Sequence, residues 1–182
     1  SFIAEIHREG LAGDFLPSLG ANFLTSLYEG VTGIPGVHGF AYVEKDKIVG
    51  FVLGTNNSEK FFSQALKNNF IKLSLLLIIQ LIKKPFLLKN IVESFLYTSK
   101  ESGPKAELVV IAVKKNAQRK GVGKKLVNAL EYAFRKSKIK EYKLTVHADK
   151  KAVGFYEHLN YSRVSSFQLY GKMWFVYAKK IS

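Results

Sequence analysis

Between Val109 and Leu126 the chain reads VVIAVKKNAQRKGVGKKL, and this is where residue types and spacing point to chemistry. The β-branched run predicts a short strand, Glu107 to Val113. It passes into a basic turn that carries Gln118, Arg119, Lys120, Gly121, Val122 and Gly123. A helix follows at once, Lys124 to Lys136, with Leu126, Val127, Leu130, Ala133 and Phe134 on one face. Strand, glycine turn and helix start together form an anion cradle. Backbone N–H groups point outward, the helix dipole favours negative charge, and glycine lets a phosphate approach the backbone closely. Six basic residues within the twelve positions from Lys114 to Lys125 add cationic charge where a diphosphate would sit. Two phosphate-loop patterns are excluded. A P-loop needs Gly at the place of Gln118 and Ser or Thr at the place of Lys125. A dinucleotide fingerprint needs Gly at the place of Leu126.

A second segment belongs with the first. Lys143 to His147 predicts another short strand, and the chain continues through Asp149, Ala152, Phe155, Tyr156, Leu159 and Asn160. The Q-x-x-G-x-G spacing of Gln118 to Gly123 resembles the acyl-CoA pyrophosphate loop of the GNAT N-acetyltransferase superfamily. The second segment is similar to that family's N-x-x-A-x-x-F-Y-x-x-L-G-F signature. Ala152, Phe155, Tyr156 and Leu159 match, while Asp149 stands where Asn is usual and Asn160 where Gly is usual. Asn160 falls at a helix C′ position, and Asn tolerates a left-handed backbone better than any residue but Gly. Asp149 is a carboxylate near an anionic ligand, tolerable if it caps the helix start. The resemblance covers roughly residues 107 to 161 and is looser upstream.

The resemblance implies an α+β fold with a central mixed, twisted sheet, flanking helices, and a fourth and fifth strand that splay apart. It implies direct transfer of an acyl group, usually acetyl, from CoA to a primary amine, with no metal and no covalent enzyme intermediate. Acetyl-CoA would be the co-substrate, held through the backbones of Ile111 and Val113, through Gln118 to Lys124, and beside Asp149 and Phe155. The Val113 N–H would stabilise the thioester oxyanion, and such a donor is worth on the order of 3 kcal/mol. Tyr156 matches the general acid that protonates the CoA thiolate. Glu107 is the first candidate for general base and His147 the second. His7, His38 and His158 are expected to be packing or surface residues.

Composition bounds the rest. A chain of 182 residues is expected to form one domain. It has no cysteine, which excludes disulfides, thiolate metal sites and a cysteine nucleophile. With no secretory leader pattern at its start, the expected location is cytoplasmic, with association at a membrane left open. Met173 is the only methionine, so the true start is expected to be missing, together with the fold's first strand. The net charge of +14 suits a CoA phosphate site but exceeds what one cofactor needs, leaving a solvated face or an anionic partner to account for the remainder. No nucleic-acid motif accompanies the charge.

The expected elements are a helix ending near Glu9, a second helix from Leu16 to Tyr28, and a hairpin of Phe40 to Glu44 and Ile48 to Gly54 around Lys45, Asp46 and Lys47. A last hairpin, Ser162 to Leu169 and Met173 to Lys179, turns at Gly171. Between the first hairpin and the strand at Glu107 lies an apolar stretch from Phe61 to Ser99, expected to be an inserted pair of helices broken near Pro85. Its unbroken apolar run is well short of the roughly 20 residues a bilayer span needs. Three accounts of it stay open: an extra helical layer or homodimer interface, a helix pair lying on a membrane surface, and a lid over the acceptor or over a longer acyl chain. Two functions follow. One is an N-acetyltransferase acting on a small-molecule or metabolite-linked amine. The other is a catalytically weak CoA-binding module at a membrane surface or in a complex.

Overall fold

The computed structural model of the chain describes residues 2–98, 103–149 and 151–181, with side chains of 95–98 outside the description. Its elements run α1 (Phe2–Gly10), α2 (Phe15–Ser18), α3 (Ala21–Val31), β1 (Val37–Glu44), β2 (Lys47–Thr55), α4 (Ser58–Asn68), α5 (Phe70–Lys83) and α6 (Leu87–Thr98). They continue through β3 (Glu107–Val113), a 3-10 turn (Lys115–Ala117), α7 (Val122–Lys136), β4 (Glu141–His147), α8 (Ala152–His158), β5 (Ser162–Leu169) and β6 (Lys172–Lys180). The strands form one six-stranded mixed sheet in the order β1-β2-β3-β4-β6-β5. Every pair is antiparallel except β3 with β4, and that parallel pair needs a crossover, which α7 supplies.

Both hairpins turn in two residues. Lys45 and Asp46 have φ of 49° and 59°, Tyr170 and Gly171 of 54° and 68°. Two left-handed residues in succession are what a twisted two-residue hairpin demands. Lys47, expected in the first turn, is already the first residue of β2 and faces Glu44.

The sheet is covered on both faces. Val122, Leu126, Val127, Leu130 and Phe134 make a buried stripe along α7, packed on Leu108, Leu144 and Tyr177 of the strands. On the other face Ile6 of α1, Val31 of α3, and Phe61 and Ala65 of α4 cover Phe51, Leu53, Val110 and Ala112. A third cluster, Leu19, Phe23, Leu73 and Leu87, lies among the helices and seats α5 and α6 on α2 and α3.

Two expectations about helices are corrected. The helix expected from Leu16 to Tyr28 is two, because Gly20 between α2 and α3 sits at φ 92°, outside the helical region. The insertion begins at Ser58 and holds three helices rather than two; its expected end, Ser99, lies outside the described residues. The break at Pro85 is as expected, but a second falls at Asn69, where α4 and α5 meet at 85°. Its cause is tertiary. The side-chain amides of Asn68 and Asn69 donate to the carbonyls of Gly30 (2.6 Å) and Ser26 (2.8 Å) in α3. Those bonds hold the chain out of helical register, and asparagine readily competes for backbone groups in this way.

Candidate active site

The two parallel strands touch at one end only. β3 and β4 share a single register pair, Glu107 with Lys143, where the Lys143 N–H donates to the Ala106 carbonyl at 3.0 Å. Beyond it β3 stays with β2, and β4 pairs with β6 along its whole length. The sheet therefore opens into a wedge between β3 and β4, as expected for the fourth and fifth strands of the family fold.

A bulge decides what β3 offers to that wedge. Val110 lies opposite Leu53 and Leu108 opposite Gly54, so Val109 has no register partner on β2. One extra residue reverses the side to which later peptide groups point. Before the bulge, the Ala106 carbonyl faces β4. After it, the Lys114 N–H donates to Val49 of β2 at 2.8 Å. Ala106 and Lys114 are an even number of residues apart and would face the same side of an unbroken strand. Since they face opposite sides, the peptide groups of Ile111 and Val113 point into the gap. The Val113 carbonyl accepts a hydrogen bond from the Gln118 side-chain amide at 2.9 Å, which folds the basic turn back over the strand end.

The turn itself carries two left-handed residues, Arg119 at φ 60° and Gly121 at φ 79°. α7 starts at Val122, two residues earlier than expected, so Val122 and Gly123 belong to its first turn. No side chain caps that end, and the first turn holds no acidic residue. The leading N–H groups of α7 thus point out of the helix with no partner within it, at the positive end of its dipole. A Cβ on Gly121 would meet nothing within 4 Å, so this side of the turn is open. Gly123 is different: a Cβ there would come within 3.1 Å of the Phe155 ring. That contact brings the second motif onto the first.

α8 ends as its sequence requires. Asn160 has φ 62°, the Tyr161 N–H donates to the Tyr156 carbonyl at 3.1 Å, and the Asn160 N–H to that of Glu157 at 3.0 Å. This is a Schellman closure, completed by ring contact between Tyr156 and Tyr161 at 5.4 Å. Tyr156 is 5% exposed and lies among Phe155, Tyr161 and Tyr177. Burial pushes its phenol well above the ordinary value of 10, so it stays protonated. Its hydroxyl makes no hydrogen bond among the described residues. Behind Tyr161, Glu131 accepts from Tyr142 (2.8 Å) and Lys179 (2.7 Å), a buried carboxylate paired within the core.

Asp149 does not cap α8. The N-cap is Lys151, without a side-chain cap, while Asp149 contacts Nδ1 of His147 with its side chain 77% exposed. It lies two residues before the cap and turns back toward β4 instead. His147 is buried, with its ring edge-on to Trp174 at 5.2 Å. Glu107 is also buried, at the closed end of the wedge. At about 3.3 Å per residue it lies roughly 13 Å along the strand from Ile111 and roughly 20 Å from Val113. The other histidines lie elsewhere. Nδ1 of His7 is 2.5 Å from the Tyr28 hydroxyl, Nε2 of His38 is 3.0 Å from Oδ1 of Asn56, and Nδ1 of His158 accompanies the Gly154 carbonyl at 2.7 Å.

Three elements that no sequence motif linked meet near Tyr170. Its ring lies 5.2 Å from that of Phe15, at the end of the α1–α2 loop. Its N–H donates to Glu93 (2.7 Å) and its hydroxyl pairs with Ser94 (2.5 Å), both on α6. The pairing follows from the fold and had no local signal.

A family model described as an acetyltransferase (GNAT) domain matches residues 89–180, just over half of the chain. No curated protein matches it in sequence. Among solved structures, the ribosomal-protein-S18-alanine N-acetyltransferase from Escherichia coli is similar over 100% of this chain and 88% of its own, at TM-score 0.60 and 16% identity. A PaiA N-acetyltransferase from Thermoplasma acidophilum, in complex with coenzyme A, is similar over 99% and 91%, at TM-score 0.60 and 14% identity. An aminoglycoside 6′-N-acetyltransferase complexed with coenzyme A is similar over 98% and 88%, at TM-score 0.61 and 15% identity.

Proposed function

Because the chain belongs to the GNAT acetyltransferase family, we propose that it transfers acetyl from acetyl-CoA directly to a primary amine of a small-molecule or metabolite-linked acceptor. The observation that carries this reading is the wedge. Peptide groups of Ile111 and Val113 face an open sheet gap whose mouth is the uncapped, basic start of α7. An extended pantetheine arm pairs with such an edge, and a diphosphate suits the N–H groups of the turn from Gln118 to Lys124.

The thioester is the end of acetyl-CoA farthest from its diphosphate, so it lies deeper in the wedge than Val113. This moves the oxyanion contact to the Ile111 N–H and leaves Val113 to the pantetheine arm. The acceptor amine attacks the thioester carbonyl, the oxyanion forms against that donor, and collapse breaks the C–S bond. An alkylamine has a pKa near 10.4, so presenting it neutral at pH 7 costs roughly 4–5 kcal/mol, part of which a base offsets. Glu107, relaying through water because of its distance, is the first candidate, and His147 the second. The departing thiolate, with an ordinary pKa near 8.5, takes its proton from Tyr156. Burial weakens this phenol as an acid, but it raises the energy of the thiolate too, so the transfer stays within a few kcal/mol of level. Phe155 shapes the wall beside the turn. The net charge of +14 favours an acceptor bearing an anionic group over a polyamine.

Titration calorimetry with acetyl-CoA and desulfo-CoA tests the first half of this reading. Micromolar binding of both is expected, and binding of neither would sink it. An acceptor panel tests the second half. Polyamines outperforming anionic amino sugars would overturn the acceptor class while leaving the transfer chemistry intact.

A further inference from the structure

α5 has two apolar faces. Leu73, Leu76, Leu77 and Leu81 turn inward onto Leu19 and Phe23. Ile71, Leu75, Ile78, Ile79 and Ile82 recur at helical spacing on the opposite side and are exposed, Ile71 by 84% and Ile82 by 78%. Phe86, Leu88 and Val92 carry the exposed strip onto α6. A helix seated on a core ordinarily turns charge outward. Here no charged residue falls between Lys72 and Lys83, so an apolar strip of this length needs a partner.

Charge distinguishes the occupants. From Lys60 to Val92 the chain holds six lysines and no carboxylate. Lys83 and Lys84 stand at the end of α5, while Lys72 near its start is ion-paired with Glu29 of α3 at 2.9 Å and Lys89 on α6 lies 3.8 Å from Glu93. A second copy fits poorly: packing α5 on α5 brings a lysine-bearing end of one copy onto a lysine-bearing end of the other, whichever way the helices run. A bilayer with anionic headgroups meets both requirements. Its acyl boundary takes the isoleucines, and its phosphates take lysines whose stems lie along the apolar surface. At 14 residues α5 is about 21 Å long, short of the roughly 30 Å hydrocarbon core, and no single described helix is long and apolar enough to cross a membrane. α4 and α5 together have the length and composition, but they meet at 85° and α4 buries Phe61 and Ala65 in the fold.

We propose that the outer face of α5 and α6 docks on an anionic lipid bilayer, with α5 lying in the plane of the headgroups. The test is co-sedimentation of the purified chain with vesicles of phosphatidylglycerol and phosphatidylcholine, and with phosphatidylcholine alone, at physiological salt. The expected result is uptake by the anionic vesicles at least tenfold above the neutral ones. The triple variant Ile71→Ser, Ile78→Ser, Ile82→Ser should lose at least tenfold of that uptake while its melting temperature and acetyl-CoA affinity stay near those of the wild type. Equal uptake of wild type and variant would overturn the proposal, since net charge alone would then suffice. A lipid-independent dimer in sedimentation velocity, abolished in the variant and unaccompanied by vesicle uptake, would overturn it in favour of a second copy.

Discussion

Gly121 separates the strain of the turn from its charge. At φ 79° it occupies the left-handed region, and a Cβ there would meet nothing within 4 Å. Gly121→Ala therefore adds backbone strain and little else, about 1–2 kcal/mol. For a chain of this length that lowers the melting temperature by roughly 2–8 °C, with acetyl-CoA affinity held within a few-fold. Gly121→Gln adds bulk to the same strain. Gly121→Glu adds a carboxylate beside the leading N–H groups of α7. At about 6 Å from one diphosphate charge and an effective dielectric of 20, the repulsion is roughly 3 kcal/mol, about a hundredfold in affinity. Calorimetry on the three variants, each with its own thermal melt, should give a small, a moderate and a hundredfold loss. Raising the salt should recover part of the last, because an exposed repulsion is screened. An affinity for the Glu variant within tenfold of the Gln variant would mean that the diphosphate does not sit on this turn.

Three further outcomes are expected. Tyr156→Phe should lower turnover roughly 10- to 1000-fold with acetyl-CoA affinity unchanged, since it removes a proton donor and leaves the ring packing in place; unchanged turnover removes Tyr156 from the mechanism. Asn160→Ala should cost about 1 kcal/mol in urea unfolding, and Asn160→Gly a few tenths or less, because φ 62° penalises a Cβ that cannot hydrogen-bond. His7 is held neutral by burial, its pKa lowered to about 4 from 6.5 against a smaller opposing pull from Asp14. The unfolded chain then binds more protons between those values, so this contribution is fully present above pH 6.5 and lost as pH falls toward 4, up to about 3 kcal/mol. Urea unfolding across that range should fall more steeply for the wild type than for His7→Phe, and parallel curves would refute the assignment.

What the sequence made legible was whatever local chemistry enforces. The last hairpin around Gly171, the α7 stripe and the left-handed Asn160 each follow from residues within a few positions. What it hid depended on partners far along the chain. The break at Asn69 comes from amide bonds to α3 carbonyls 38 and 43 residues away. Asp149 reads as a helix cap from its place before α8, yet the structure turns it to His147. The exposure of α5 was hidden for a different reason: LSLLLIIQLI is apolar around its whole circumference, so periodicity cannot say which side is covered.

The same ambiguity lies at the centre of the site. VVIAV is apolar throughout, and its residues read alike with or without an extra one at Val109. The bulge nevertheless sets two things at once. It turns the peptide groups of Ile111 and Val113 into the gap, and it changes which side chains share a face. Leu108, Ile111 and Val113 pack toward α7, while Val109, Val110 and Ala112 pack toward α1 and α3. Alternation places Glu107 on the face opposite Leu108, and therefore on the α1 and α3 side. In an unbroken strand Glu107 and Ile111, four apart, would share a face. The bulge separates them, so the proposed base stands on the α1 and α3 side of the sheet, while the peptide groups of Ile111 and Val113 line the gap.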